Sequence, residues 1–192
     1  AQSKLSLQVH PPAAKASQLK GEPKTEMWYI VDASEEADLF VGLKRGVTRE
    51  EFERRISDGS VAECFQRIVT KAADAMFLPS GRVHAIGAGN IIFEIQQNSD
   101  TTYRVFDWNR VGQDGKPREL HVAESLESID FEDFEPGLVD SPVQENGGVL
   151  IKSLVNDPLF TVDLVEATDA AEQSFSIKAP MVLAVAGGKL DV

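Results

Sequence analysis

Short apolar runs, several of them alternating with polar residues, recur along the first 110 positions of the chain. They are LSLQV at 5–9, MWYIVDA at 27–33, DLFVGL at 38–43, AMFLP at 75–79, NIIFEIQ at 90–96 and TTYRVFDW at 101–108. Gly, Pro, Asn and Asp bound these runs, a pattern typical of antiparallel strands and turns rather than of βαβ units. The pattern therefore predicts a mainly β fold, a β-sandwich or jelly roll.

Two segments with a different periodicity interrupt the predicted strands. Thr48 is placed to cap a helix, with Glu51 three residues later as a capping-box partner, and Phe52 and Ile56 follow at a spacing of four. The run VAECFQRIV at 61–69 predicts a short helix that continues into a strand. We therefore expect short helical insertions within the sheet protein.

An acidic segment follows the first strand-rich region. Residues 119–135 carry seven acidic side chains and no basic one apart from His121, and Pro136-Gly137 ends the segment. A run of like charges is usually solvated. The sequence therefore predicts an exposed helix and linker.

Strand-like runs resume beyond this linker, as VLIKSLV, LFTVDLVEA, SFSIKA and MVLAVA. Four short strands make only a thin sandwich, so we expect this C-terminal β unit to be incomplete. The predicted organisation is a first β domain at 1–118, an acidic helix and linker at 119–139, and a second β unit at 140–192.

Composition limits the classes of partner. The 192 residues carry 31 Asp and Glu against 19 Lys and Arg, a formal charge of −12, whereas nucleic-acid binding needs a basic face. Cys64 is the only cysteine, which fits a reducing compartment and predicts a cytoplasmic protein. No apolar run approaches the roughly 20 residues that cross a bilayer, and the first residues lack the features of a signal peptide. We expect neither a nucleic-acid nor a membrane partner, and an anionic small substrate would need a local basic cluster.

Four polar residues stand in apolar surroundings where they need a partner. Gln8 and His10 lie two apart in a predicted strand and therefore point to the same face. His84 follows the turn P-x-G-x-x-H at 79–84, which sets its angle of entry into a strand. Glu26 begins a strand of large apolar residues, and a carboxylate entering a core needs a charged partner or a metal.

Taken together, these residues supply two imidazoles, a carboxylate and an amide oxygen. Such a set suits a divalent ion such as zinc, and a catalytic zinc keeps one position open. Each residue alone has a plainer explanation, since His84 is also consistent with a core histidine and Glu26 with an exposed residue at a strand end.

The motifs around these residues resemble those of the class I mannose-6-phosphate isomerases, a zinc-dependent cupin family. The resemblance rests on LSLQVHP, KTEMWY, LPSGRVHAIGAG and EIQQNSDTTYRVFDWNR, followed by DGKPRELHV, and covers about residues 3–125. The QQNSDTTYR run and the Trp after Glu26 point to the short bacterial branch. The resemblance implies a cupin-type jelly roll, one zinc ion per chain and interconversion of mannose 6-phosphate and fructose 6-phosphate. The family also has a segment before LSLQVHP and strands after AVAGG that these residues do not include.

The resemblance also assigns metal ligands. By position, the zinc ligands are Gln8, His10, Glu26 and His84. Lys24, in the K-T-E run, corresponds to an active-site lysine, and strand alternation independently places it on the face of Glu26.

The remaining assignments concern the sugar phosphate. The resemblance makes Glu94 an acid/base candidate and Arg104 an electrostatic stabiliser of an enediolate, while Ser6 and Arg110 correspond to positions that meet the phosphate. Aldose-ketose isomerisation needs a base and preorganised positive charge for the enediolate. The sequence leaves open whether Glu94 or a metal-linked water is the base.

Some positions depart from the family pattern or carry a plainer interpretation. Ala73 stands where the family usually has Gly, and Ile86 where some relatives place a tyrosine near the substrate. We expect His121 to be structural and both Trp28 and Trp108 to be core residues.

Two other functions fit the residues less well. A different metal-dependent cupin enzyme, such as an oxygenase, would use three histidines or two histidines and a carboxylate around iron, and Gln8 argues against it. A non-catalytic or degenerate sugar-phosphate-binding cupin is weakened by Lys24, Glu94 and Arg104. The sequence does not set the oligomeric state.

Overall fold

A computed structural model describes residues 3–112, 115–167 and 180–189. Its strands are β1 Leu7–Val9, β2 Glu26–Ala33, β3 Asp38–Leu43, β4 Phe65–Val69, β5 Ala75–Leu78, β6 His84–Ile86, β7 Asn90–Gln96, β8 Tyr103–Phe106, β9 Val143–Asn146, β10 Val149–Asn156 and β11 Thr161–Ala167. Its helices are α1 Ala13–Ala16, α2 Arg49–Asp58 and α3 Val122–Ser128, with a 3-10 turn at Val61–Cys64. The prediction of a mainly β fold with short helical insertions is confirmed.

The strands form three antiparallel sheets. Sheet 1 has the order β4-β3-β6-β1-β8, sheet 2 the order β5-β2-β7 and sheet 3 the order β11-β10-β9. Trp28 and Ile30 of sheet 2 share a core with Leu39 and Val41 of sheet 1, and all four are almost fully buried. Sheets 1 and 2 are therefore the two layers of a sandwich.

Alternation along β1 separates a packing face from a polar face. Leu7 and Val9 are fully buried in a second core that also contains Phe52 of α2 and Phe65 of β4. Because side chains alternate along a strand, Gln8 points to the other face of sheet 1.

The helical insertions form where the pattern predicts them. The Thr48 hydroxyl accepts the Glu51 N–H at 3.2 Å, which caps α2, and Gly59 ends the helix with a φ of 79°. The predicted second half of the capping box is not seen, since the Glu51 carboxylate accepts a bond from Arg55, one turn later. The run at 61–69 is a 3-10 turn followed by β4, as its pattern predicts.

The acidic segment is more buried than its charge predicts. It contains α3, but Ile129 is only 6% exposed, and both Phe131 and Phe134 pack against the core that contains Leu7. Phe134 also forms a parallel bridge with Leu43. The expectation of a solvated linker is therefore wrong for this part, because apolar residues lie among the acidic ones. The domain boundary at 118 stays a prediction.

Sheet 3 covers the outer face of sheet 2. Leu154 and Val155 of β10 share a core with Met27 of β2 and Ala75 of β5. Strands β10 and β11 match the predicted VLIKSLV and LFTVDLVEA runs, whereas β9 was not predicted because three of its four residues are polar and all four are exposed.

The last predicted runs have different outcomes. SFSIKA lies outside the described residues, and MVLAVA at 181–186 is not a strand in the structure, so that expectation is wrong. Its side chains, Val182 above all, are exposed. A β-prone pattern becomes a strand only where a partner strand supplies hydrogen bonds.

Within the residues that the structure describes, no helix is both long and apolar enough to span a membrane. The cytoplasmic location stays a prediction.

Candidate active site

Strand register places three polar side chains in a row on one face of sheet 1. Gln8 of β1 pairs with His84 of β6 on one side and with Arg104 of β8 on the other. Residues directly opposite each other in an antiparallel pair share a face. The row His84–Gln8–Arg104 is therefore set by the backbone, independently of any ligand.

Glu26 meets this row from sheet 2. Its Oε1 lies 3.3 Å from His84 Nε2, and its Oε2 lies 3.5 Å from His10 Nε2. The ligand atoms of these three residues all lie within 4.8 Å of one another, and all three side chains are buried. The amide nitrogen of Gln8, Nε2, lies 3.4 Å from His84 Nε2. Rotating the amide by 180° exchanges its nitrogen and oxygen and places the oxygen next to His84 Nε2. The structure thus brings together the four proposed metal ligands.

Backbone carbonyls fix the orientation of both imidazoles. His10 Nδ1 lies 2.8 Å from the Thr101 carbonyl oxygen, and His84 Nδ1 lies 2.9 Å from that of Arg82. A carbonyl only accepts, so each Nδ1 carries the proton and each Nε2 presents a lone pair to the cluster. This is how metal-binding histidines are commonly held.

Two atoms at the centre of the cluster are buried without a hydrogen-bond partner. They are His10 Nε2 and Glu26 Oε2, which lie 3.5 Å apart, too far for a good hydrogen bond, and Glu26 Oε2 has only an ion pair with Lys24 at 3.3 Å. Leaving a buried polar atom such as His10 Nε2 unsatisfied costs about 1–3 kcal/mol. Both are ligand atoms that a divalent cation satisfies, so the residues present fit a zinc ion.

The charges around the cluster favour the metal-binding forms. Burial alone would raise the pKa of Glu26, but His84, His10 and Lys24 outweigh it and hold that pKa at about 2. Burial lowers the pKa of His84 to about 4 despite the opposing effect of Glu26. At neutral pH the cluster therefore offers a carboxylate and a neutral imidazole, which metal binding requires.

A lysine and a second glutamate adjoin the cluster. Lys24 Nζ lies 3.3 Å from Glu26 Oε2 and 3.9 Å from Glu94 Oε1. Burial, and then the charge of Glu26, raise the pKa of Glu94. A carboxylate with a raised pKa is better suited to exchange protons near neutral pH.

Arg104 is anchored beside the cluster. Its Nη1 donates to the Glu119 carbonyl at 2.7 Å, while its Nε is buried without a partner. His121 Nδ1 accepts the backbone N–H of Arg104 at 3.1 Å and is not part of the metal cluster. This contact agrees with a structural role for His121.

Arg110 lies in a different setting, in a cavity of about 320 Å³ near the start of β1. Its guanidinium pairs with Asp107 and donates to the Lys4 carbonyl at 2.7 Å. Arg118 approaches the same Asp107 at 3.8 Å. We call this the Arg110 cavity, and the residues of the metal cluster do not line it. Ser6 is buried, directly precedes β1 and does not line the Arg110 cavity.

The supporting residues of the site were not predicted. Besides Thr101 and Arg82, they include Gln97, whose side-chain oxygen accepts the Thr25 N–H at 2.9 Å. The Thr101 hydroxyl accepts the Glu22 N–H at 3.0 Å. The available signal was the QQNSDTTYR motif, which the structure shows to connect the end of β7 with the loop that carries Lys24.

Known proteins offer an independent comparison. No family model matches the chain. A probable mannose-6-phosphate isomerase of Bacillus subtilis is 40% identical over 161 residues, which are 82% of this chain and 50% of that protein. The crystal structure of the mannose 6-phosphate isomerase from Bacillus subtilis matches with a TM-score of 0.77 and 33% identity, over 85% of this chain and 52% of that one.

A more distant structure is a zinc-bound mannose 6-phosphate isomerase, with a TM-score of 0.59 and 12% identity, over 81% of this chain and 58% of that one. At this identity the likeness concerns the fold alone. The chain spans about half the length of the curated relatives that it matches. The Bacillus structure confirms the predicted cupin-type fold. Over the segment that it shares with these proteins, the chain belongs to the mannose-6-phosphate isomerase family.

Proposed function

We propose that the chain is a zinc-dependent aldose-ketose isomerase that interconverts mannose 6-phosphate and fructose 6-phosphate. The observation that carries the proposal is the buried cluster of His10, Glu26 and His84, whose ligand atoms lie within 4.8 Å of one another beside Lys24 and Glu94. The names of the relatives supply the substrate.

The metal would be held by Gln8, His10, Glu26 and His84. When bound, zinc supplies positive charge that orients and polarises the oxygens at C1 and C2 of the sugar. The protein's part is to keep Glu26 ionised and His84 neutral, as their lowered pKa values indicate.

Glu94 is the proposed proton carrier. In the direction from aldose to ketose it removes the proton from C2 and returns it to C1, while the hydroxyl proton of O2 passes to O1 at the enediolate stage, so one carboxylate serves first as base and then as acid. Lys24, 3.9 Å away, holds one of its oxygens. The pKa of Glu94 is raised by burial, which favours this exchange near neutral pH.

Positive charge has to balance the enediolate as it forms. Arg104 and Lys24 are the proposed sources of this positive charge. The Nε of Arg104 is buried and has no hydrogen-bond partner within the protein, so it is a proposed donor to the enediolate oxygen. A preorganised donor of this kind is most effective in a site from which water is excluded.

The phosphate is proposed to meet Ser6 and Arg110. The Arg110 cavity also contains Lys4 and Arg118, so its lining has three cationic side chains against the single carboxylate of Asp107. It is the local basic cluster that an anionic substrate needs within a protein of charge −12.

The test is fructose 6-phosphate formation by this chain in a coupled assay, with metal analysis of the same sample. We expect turnover that excess chelator abolishes and added zinc restores. Full activity in chelator would contradict the metal mechanism. Bound iron without isomerase activity would favour a different cupin enzyme, and bound zinc without turnover would favour a non-catalytic sugar-phosphate-binding protein.

A further inference from the structure

Trp28 lies directly beneath the proposed metal site. It follows Glu26 by two residues on β2 and shares its face, with only 1% of the residue exposed. Its ring meets the His84 ring edge-on, with centroids 5.3 Å apart and an interplanar angle of 86°. The indole therefore packs against a proposed ligand rather than only against aliphatic core residues.

The polar atom of this side chain is not satisfied by ordinary contacts. Trp28 Nε1 is buried and makes no hydrogen bond in the structure. A buried tryptophan N–H usually finds an acceptor, because leaving it unpaired is costly. Unlike His10 Nε2, this atom is a donor and cannot be satisfied by a cation.

Strand register places a carboxylate opposite Trp28. Trp28 pairs directly with Glu94 across β2 and β7, and side chains opposite each other in an antiparallel pair lie on one face with Cβ atoms about 4.5–5.5 Å apart. The Glu94 carboxylate has one oxygen toward Lys24, at 3.9 Å, which leaves the other free to accept. The indole of Trp28 also acts to lower the pKa of Glu94, as a donor near the carboxylate does.

We propose that the Trp28 indole N–H donates a hydrogen bond to Glu94 and thereby holds that carboxylate between the indole and Lys24. Trp28 is then a positioning residue, which acts on the sugar only through Glu94. The catalytic consequence rests on the proposed function, in which Glu94 carries the proton. The hydrogen bond itself does not depend on it.

The chain contains an internal control. Its other tryptophan, Trp108, donates Nε1–H to the Leu5 carbonyl at 2.7 Å and lies over Phe40 and Phe106. The two indole N–H groups therefore give two signals in a nitrogen-15 NMR spectrum, and Trp108→Phe identifies which is which.

The contact is tested on the full chain supplemented with zinc. Replacing the acceptor by Glu94→Leu should move the Trp28 indole proton signal upfield and leave that of Trp108 in place. Glu94→Gln, which keeps a neutral acceptor, should move it less. An unchanged Trp28 signal in Glu94→Leu would overturn the proposal, and this result is obtained without altering the buried indole.

Kinetics test the positioning role. Trp28→Phe keeps an aromatic ring but removes the donor, and we expect kcat to fall about tenfold, with KM for mannose 6-phosphate and zinc content unchanged. Adding this change to Glu94→Gln should produce no further loss, because the donor acts only through Glu94. Losses that multiply, or a fall in zinc content, would overturn the role. An inactive wild-type chain would refute the proposed function, while the NMR result would still decide the contact.

Discussion

The metal cluster and the Arg110 cavity both concentrate charge, but they differ in how that charge is satisfied. In the cluster, His10 Nε2 is buried without a hydrogen-bond partner, and Glu26 Oε2 makes no hydrogen bond and has only the ion pair with Lys24. In the cavity, Arg110 already pairs with Asp107 and with the Lys4 carbonyl.

The difference indicates what each region needs from outside the protein. Unsatisfied ligand atoms in a buried site favour a bound cation, because the folded chain otherwise retains their desolvation cost. Cations that have an internal anion gain less from a ligand, since the ligand competes with Asp107. We therefore expect substitutions in the cluster to have larger effects than substitutions in the cavity.

The largest effect is expected for Glu26→Gln. This change keeps the side chain's size but removes the charge that lies between His10, His84 and Lys24. Zinc content should fall far below one ion per chain, and isomerase activity should fall more than 100-fold, since even outer partners of metal sites are worth 10–100-fold. Metal analysis and the coupled assay measure both.

The matched control is Glu145→Gln on the exposed strand β9, which should change neither quantity. Circular dichroism establishes that both variants fold. Normal zinc content in a folded Glu26→Gln chain would remove Glu26 from the ligand set.

The second expected effect is acid sensitivity of the metal-free protein. The pKa of His84 is lowered to about 4 in the folded chain, against 6.5 without burial, so the unfolded chain binds an extra proton between these values. The free energy of unfolding should therefore fall as pH is lowered from 6.5 to 4, by on the order of 3 kcal/mol. Urea denaturation in chelator measures it.

His84→Gln should flatten this dependence over the same pH range. Arginine stays protonated throughout, so the Arg110 cavity does not contribute to the slope through its guanidinium groups. An equal slope in wild type and His84→Gln would show that the acid sensitivity originates elsewhere.

A smaller effect is expected in the Arg110 cavity. Arg110→Ala should raise KM for mannose 6-phosphate about tenfold, the usual value of one charge-assisted hydrogen bond, and leave zinc content unchanged. Steady-state kinetics measure the change. Arg54→Ala, on the exposed face of α2 where its partner is Asp58, is the matched control. An unchanged KM in Arg110→Ala would place the phosphate elsewhere.

The smallest effect is expected for a substitution outside both regions, at Ala73. It should change the stability of the fold without changing zinc binding. Ala73 has a φ of +70°, a conformation that costs a residue with a Cβ about 1–2 kcal/mol and costs glycine little. After allowance for the greater freedom of glycine in the unfolded chain, Ala73→Gly should stabilise the protein by about 0.5–1 kcal/mol. Thermal unfolding measures this change, and a loss of stability would contradict it. Zinc affinity should not change.

The sequence predicted those parts of the site that depend on local geometry. Strand alternation predicted that Gln8 and His10, and Lys24 and Glu26, lie together, and the structure brings each pair into the site although His10 and Lys24 lie just outside β1 and β2. The resemblance to the isomerases then joined residues that are far apart in the chain. Their separation in space was not predictable from either source, because it depends on how sheets 1 and 2 face each other.

Other parts could not be predicted, for identifiable reasons. The carbonyls of Thr101 and Arg82 hold the imidazoles, but every residue has a carbonyl, so the sequence does not mark them. The prediction for residues 119–135 relied on their net charge, and it therefore missed that the apolar residues among them pack against the core. MVLAVA has the composition of a strand, but strand formation also requires a neighbouring edge, which composition does not specify.

The most direct test of the central claim is X-ray absorption spectroscopy at the zinc edge on the zinc-loaded chain. The account predicts two imidazole nitrogens at about 2.0–2.1 Å together with oxygen ligands, and no sulfur. The spectrum of Glu26→Gln should lose this signature or show no bound zinc. A sulfur ligand near 2.3 Å, or a spectrum without imidazole, would contradict it.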